Sequence, residues 1–131
     1  MMGFRTACIC LALGFVLASV VPPLRAAPDR TDGMALMSAV VNADSSLARG
    51  AGATGAEKIL TGNYAVRFAR DVRDCAYVVS TGSSEVYTWA DSTASAASYA
   101  FDPAGVFVSI RDANDVNFVD RPFHLIVFCA S

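Results

Sequence analysis

The stretch "DRPFHLIVFC", residues 120–129, decides the fold because apolar residues recur in it at every second position. A period of two is typical of a β-strand with one face in a core. One predicted face carries Phe123, Leu125, Val127 and Cys129, and the other carries His124, Ile126 and Phe128. Pro122 cannot donate to a neighbouring strand, so it suits the first position of a strand. The stretch therefore predicts a strand that closes the fold.

The same alternation recurs throughout the chain after residue 34. Segments rich in Asn, Asp, Gly and Ser separate the alternating runs about every 8–12 residues, which is typical of sandwiches and barrels. We expect an all-β fold, an antiparallel β-sandwich or flattened barrel of about eight short strands. Besides the closing strand, the predicted strands cover residues 35–41, 47–51, 57–60, 63–69, 75–80, 85–90 and 105–110. The small, polar stretch 91–98, "DSTASAAS", is expected to be an exposed loop.

Residues 1–27 have the three-part organisation of a secretory signal peptide. An arginine near the start precedes the apolar run 7–21, and small residues follow at the end of the segment. The run is shorter than the roughly 20 residues of a spanning helix, and two prolines follow it. Cleavage after Ala26 is expected, which would leave no stable membrane span. Retention as an anchor is the alternative, because Leu24 stands where a small residue is preferred.

The remainder of the 131-residue chain is long enough for one domain. Residues 28–33 are predicted to be a flexible leader and residues 34–131 a single domain. Hydrophobic residues make up 54% of the chain and charged residues 17%, which favours a packed core over disorder. Eight basic and twelve acidic residues follow residue 27, a formal charge of −4. That charge argues against a nucleic-acid partner.

Only two cysteines, Cys75 and Cys129, remain after the predicted signal peptide. An even pair in an exported chain indicates a disulfide, which also places the protein in an extracellular or periplasmic compartment. Metal binding is the alternative, but two cysteines and one histidine without close spacing make a poor zinc site. We therefore expect a structural disulfide and neither a metal nor a cofactor.

Three segments, residues 40–50, 61–82 and 105–129, together resemble a small secreted bacterial β domain that is widespread and mostly uncharacterised. In that family such segments occur in short exported proteins or after collagen-like or tail-fibre-like stalks. The resemblance covers nearly all of residues 35–129 and implies a fold and a location but no established activity. The first turn usually looks like Asp-Gly in that family, and here it is Asp44-Ser45, which predicts a looser first hairpin. No collagen-like repeat precedes this copy, so a trimeric stalk role is not expected.

Three aromatic residues, Tyr87, Trp89 and Tyr99, flank the small-residue stretch 91–98 and are the candidate ligand contacts. Aromatic side chains exposed on a rigid sandwich can stack on sugar rings or anchor a protein partner. The alternative is that Trp89 fills the core between the sheets.

Other polar groups have a functional and a structural interpretation. As a general base, His124 would need a nucleophile and an orienting group, and neither can be placed from the sequence. Residues 111–120 carry several oxygen ligands suited to calcium, but EF-hand spacing is absent and Asn and Asp are ordinary turn residues. Arg67, Arg70 and Arg73 lie beside two aspartates, as an anion contact or as a solvated corner.

The sequence thus predicts a secreted, non-catalytic structural or interaction module with an unknown protein or glycan partner. A carbohydrate-binding module that uses the exposed aromatic residues is the alternative, and a small hydrolase that uses His124 is the third hypothesis. The sequence is compatible with a monomer or a small homo-oligomer.

Overall fold

The computed structural model describes residues 34–86 and 91–130. In this part of the chain, eight strands form two four-stranded antiparallel sheets that do not close into a barrel. The predicted β-sandwich is therefore confirmed. The strands are β1 (Ala35–Val41), β2 (Leu47–Ala51), β3 (Ala53–Leu60), β4 (Asn63–Phe68), β5 (Ala76–Thr81), β6 (Ser92–Ser98), β7 (Gly105–Asp112) and β8 (Phe123–Cys129). Within the same residues, no helix has the length and apolar character needed to cross a membrane.

The first sheet, sheet A, has the strand order β2-β1-β8-β5, and the second, sheet B, has the order β3-β4-β7-β6. The predicted closing strand β8 lies inside sheet A, paired with β1 from Phe123 to Cys129 and with β5 from Phe123 to Phe128. Ala35 stands opposite Cys129 at one end of the β1–β8 pair, and Val41 stands opposite Phe123 at the other. Because β2 continues almost directly into β3, the chain passes from sheet A to sheet B at one corner.

The core lies between the sheets and is built from the inward residues of β1, β4, β7 and β8. The alternation seen in the sequence decides which residues these are, since successive side chains point to opposite faces. Tyr64 of β4 and Phe123 of β8 pack against each other across the core, with ring centroids 5.2 Å apart. The largest fully buried side chains are Tyr64, Phe123, Ile110, Leu125, Val41, Val66, Val72, Val106, Val108, Val127 and Cys129.

The predicted disulfide between Cys75 and Cys129 is present, with the two Cα atoms 4.4 Å apart. Cys75 immediately precedes β5, and Cys129 is the last residue of β8. The bond therefore joins the end of the closing strand to the beginning of its neighbour. It holds the two strands together at the point where a terminal strand would otherwise fray.

The first hairpin is well closed rather than loose. Ser45 adopts a positive φ of 72°, a conformation that glycine adopts more easily. The turn is held by the backbone N–H of Asn42, which donates to the Ser46 carbonyl at 2.9 Å. The Asp44 carboxylate also accepts hydrogen bonds from the backbone N–H and the hydroxyl of Ser46. Local polar bonds thus close a turn that was expected to be looser without a glycine.

The expectation of an exposed loop at residues 91–98 is wrong, because Ser92–Ser98 form strand β6 at the edge of sheet B. The segment contains only Ser, Thr and Ala, so it has little contrast between an apolar and a polar face. Nevertheless Ala94 and Ala96 pack against the core while the full length of β6 pairs with β7. Of the predicted strand 85–90, Glu85 and Val86 lie outside any strand, and the rest lies outside the described residues.

Candidate functional site

Of the three candidate ligand contacts, only Tyr99 lies in the part of the chain that the structure describes, since Tyr87 and Trp89 fall outside it. Tyr99 comes directly after the last residue of β6. Asp91, the first described residue after position 86, comes directly before its first residue. The seven residues of β6 place Tyr99 and Asp91 roughly 20 Å apart.

Tyr99 belongs to an aromatic cluster with Phe101 and Phe107 on the outer face of sheet B. Its ring stacks on Phe107 at an interplanar angle of 14° and meets Phe101 edge-on, with centroids 5.5 Å apart. The turn between β6 and β7 brings Tyr99 close to Gly105, where a Cβ would stand 3.0 Å from the tyrosine side chain. Phe101, at 88% exposure, projects from this turn. The cluster therefore presents aromatic surface to solvent from a rigid hairpin.

A cleft of about 490 Å³ lies on the same outer face, toward the other end of β6 and β7. The register places Ser95 opposite Ser109 and Thr93 opposite Arg111, and these four side chains form its floor and one end. Arg111 also lies 4.4 Å from the centroid of the Phe118 ring. We call this feature the β6–β7 cleft. The sequence did not predict it, because it exists only when residues 92–98 are a strand.

The outer face of sheet A has a different character, since it is apolar. The register aligns Leu36, Phe128 and Ala76 in one row across three strands. Ile126 and Val78 are aligned in the next row. We call the residues of these two rows the apolar face. Four of them are large and exposed to solvent: Leu36 at 62% exposure, Val78 at 57%, Ile126 at 39% and Phe128 at 38%. The sequence signal was available, since β8 alternates between two kinds of apolar residue rather than between apolar and polar ones.

His124 lies on the outer face of sheet A, between Val40 and Ser80. Its Nε2 is 3.0 Å from the carbonyl oxygen of Ser83, and its ring packs against Gly82. The contact fastens the beginning of the β5–β6 connection to the sheet. A ring nitrogen held by a backbone carbonyl in this way supports the loop, and its cross-strand neighbour Ser80 lies on the same outer face.

The acidic stretch 111–120 contains two separate sets of polar contacts, one around Asp112 and one around Asp120. Asp112 accepts hydrogen bonds from the Val116 backbone N–H and the Asn117 amide, so its oxygens hold the turn together. These bonds also hold the pKa of the Asp112 carboxyl below its usual value. Across residues 34–86 and 91–130, no group of three or more His, Cys, Asp and Glu side chains is arranged to hold a metal ion.

Two of the three arginines of residues 67–73 pair with carboxylates. Arg73 pairs with Asp71, and the hydrogen bonds from Arg73 lower the pKa of that exposed carboxyl to about 2. Arg67 points to the outer face of sheet B, where it pairs with Glu57 at 3.0 Å and Asp102 at 2.9 Å. Both arginines are therefore already paired with carboxylates.

Asp120 forms the most connected polar network in the described residues. Its Oδ1 accepts a hydrogen bond from the Gly62 backbone N–H at 2.8 Å, and its Oδ2 pairs with Lys58 at 3.0 Å. The fully buried Tyr64 has its hydroxyl 3.1 Å from the same Oδ1 and 2.9 Å from the Ala43 carbonyl oxygen. Burial, then the Asp120 hydrogen bond, raise the pKa of Tyr64. The network is structural, since it ties the segment before β8 to the β3–β4 hairpin.

We predict that Asp120 makes the protein sensitive to acid. The Gly62 N–H, Lys58 and Tyr64 hold the pKa of Asp120 below its usual value. A carboxyl with a lowered pKa in the folded state stabilises above its unfolded pKa, near 4, and that contribution is lost as the pH falls. Asp120→Asn should therefore lower the free energy of unfolding at pH 7 by roughly 1–2 kcal/mol, with the difference from wild type shrinking below about pH 4. Urea denaturation from pH 7 to pH 2.5 measures this difference.

The matched control is Asp74→Asn, which removes an exposed carboxylate that has no ion pair among the described residues. It should differ little from wild type across the same range. A constant difference between wild type and Asp120→Asn down to pH 2.5 would contradict the assignment.

Comparison with known proteins adds no identity, because no protein-family model, no curated protein and no solved structure matches the chain. The resemblance to a secreted bacterial β domain therefore stays a prediction. The features available for function are the two outer faces of the sandwich.

Proposed function

We propose that this chain is an exported, non-catalytic structural or interaction module whose contact surface is the apolar face of sheet A. Export is supported by the signal-like first 27 residues and by the Cys75–Cys129 bond, since structural disulfides persist in oxidising compartments. The observation that carries the contact surface is the exposure of Leu36, Val78, Ile126 and Phe128 side by side. Exposed apolar patches of this kind mark interaction sites.

The partner that best fits this face is a second copy of the chain. Strands β1, β5 and β8 contain no Asp, Glu, Lys or Arg, so two copies can meet here without bringing like charges together. A two-fold dimer would place this same face of both copies together, as two sheets that stack about 10 Å apart. The four side chains leave on the order of 400 Å² of apolar surface in water, less than the ~800 Å² per partner of a stable complex. A weak dimer is therefore expected.

Sedimentation velocity tests this proposal on the purified protein. Wild type should shift from monomer toward dimer as its concentration rises from roughly 10 μM to 1 mM, the range of a small interface. Val78→Lys places a charge within the apolar face, on an edge strand that tolerates lysine, and it should leave the protein monomeric throughout.

The control Ala113→Lys adds the same charge in the exposed turn after β7 and should dimerise like wild type. A wild type that stays monomeric at every concentration, or a Val78→Lys variant that still dimerises, would reject the apolar face as the contact between copies.

A further inference from the structure

The outer face of sheet B has a shape and a chemistry that the proposed self-contact does not use. The β6–β7 cleft and the aromatic cluster are contiguous, because Phe107 and Ser109 are alternate residues of β7 on the same face. From Thr93 to Tyr99 the surface extends roughly 20 Å along β6. The cleft volume of about 490 Å³ falls within the range of ordinary ligand sites.

The floor of the cleft consists of hydroxyl groups. Thr93, Ser95 and Ser109 each offer one donor and two acceptor positions. None of these three hydroxyls makes a side-chain hydrogen bond to another residue that the structure describes. The side of β6 that faces β7 is paired along its length, and the other side is the open edge of sheet B. A ligand that lies on the face rather than along that edge is recognised by side chains, in contrast to a peptide strand, which bonds to free backbone at a sheet edge.

Because of its charges, the outer face of sheet B does not favour an anionic ligand. Arg67 is held between Glu57 and Asp102, and the Arg111 guanidinium lies 3.7 Å from the Asp115 carboxylate. Each cation thus lies beside a carboxylate, and the surface offers no excess positive charge to a phosphate or a uronic acid. The ligand must instead combine many neutral hydroxyls with flat apolar surface for the aromatic cluster.

From this combination we infer that the outer face of sheet B binds a linear, neutral oligosaccharide along β6 and β7. Sugar hydroxyls bond to Thr93, Ser95 and Ser109 in the cleft. The apolar face of a further ring stacks on the aromatic cluster, where Phe101 is the most exposed member. This site contains no residue of the apolar face of sheet A and does not depend on that face.

Isothermal titration with defined hexasaccharides tests the inference. The neutral probes are cellohexaose, chitohexaose, xylohexaose and mannohexaose, and the anionic probe is hexagalacturonate. At least one neutral hexamer should bind, with a dissociation constant of roughly 10 μM to 1 mM for a shallow surface site. Absence of binding by all four neutral probes, or binding of hexagalacturonate alone, would overturn the inference.

Two variants locate the site once a neutral probe binds. Phe101→Ala removes exposed aromatic surface and should weaken binding roughly three- to ten-fold. Ser95→Tyr fills the cleft floor and should weaken binding more than ten-fold. Thermal unfolding establishes that each variant is folded, and Phe101→Ala serves alone if Ser95→Tyr is not. Unchanged affinity in the folded variants, or loss only in Trp89→Ala, would place the sugar elsewhere and refute the assignment.

The matched control is Val78→Lys, on the opposite sheet. It should bind the hexamer like wild type while losing self-association, whereas Ser95→Tyr should show the reverse. This crossed pattern separates failure of the sugar site from failure of the proposed self-contact. Equal loss of sugar binding in folded Val78→Lys would contradict an independent site on sheet B.

Discussion

Replacing Cys75 and Cys129 together by alanine is expected to lower the free energy of unfolding by about 4 kcal/mol. The bond closes a loop with a sequence separation of 54 residues. In the chain-entropy description, a loop of that length restricts the unfolded chain by about 4 kcal/mol. The native state adds a second cost, because Cys129 is buried in the core and its replacement leaves a small void.

Urea denaturation measures the loss, and thermal unfolding should show a fall in melting temperature of more than about 15 °C for a domain of this size. The same reductant treatment of wild type and of the double variant provides the control. Reduction should lower the urea midpoint of wild type to near that of the double variant, and it should leave the midpoint of the variant unchanged. Equal urea midpoints for oxidised wild type and the double variant would show that the bond contributes nothing to stability.

The strands with a regular period of two were predictable from sequence, and β8 shows why. Its inward positions carry Phe123, Leu125 and Val127, which become the centre of the core. The disulfide was equally predictable, since only two cysteines follow the signal-like segment. Cys75 begins one alternating run and Cys129 ends another. The period of a strand is a local property of the sequence, and the pairing of two cysteines follows from their number. Both can therefore be predicted from one sequence.

Strand β6 shows where such reasoning fails. Serine and alanine differ too little in size and polarity to reveal a period, and both are common in loops. What makes residues 92–98 a strand is the ladder offered by β7, together with the packing of Ala94 and Ala96 against the core. Because that strand was predicted to be a loop, the cleft built on its register with β7 was missed as well.

Asp120 illustrates a second limit. In the sequence it belongs to an acidic stretch and invites a calcium hypothesis. In the structure its partners are Lys58, Gly62 and Tyr64, which lie 56 to 62 residues earlier in the chain. No local pattern encodes a network of that sequence separation. Its existence depends on the packing of the segment before β8 against the β3–β4 hairpin.

The second large effect is expected at this same hairpin, where Gly62→Ala should lower the free energy of unfolding by roughly 3–4 kcal/mol. Gly62 has a φ of +67°, which strains any residue that carries a Cβ. The new methyl group would also stand 2.6 Å from the Ile110 carbonyl oxygen and 2.8 Å from the Val119 nitrogen. Those two atoms are hydrogen-bonded to each other, so the methyl group would force them apart.

Displacement of Gly62 would also weaken two hydrogen bonds outside the turn. Its N–H donates to Asp120, and its carbonyl accepts from the N–H of Ile110. Urea denaturation compares this variant with Gly55→Ala, whose added Cβ would meet nothing within 4 Å. Gly55→Ala should fall within about 0.5 kcal/mol of wild type, as surface substitutions usually do. If the two alanine variants lost similar stability, the close approach of Ile110 and Val119 would not be what requires glycine at position 62.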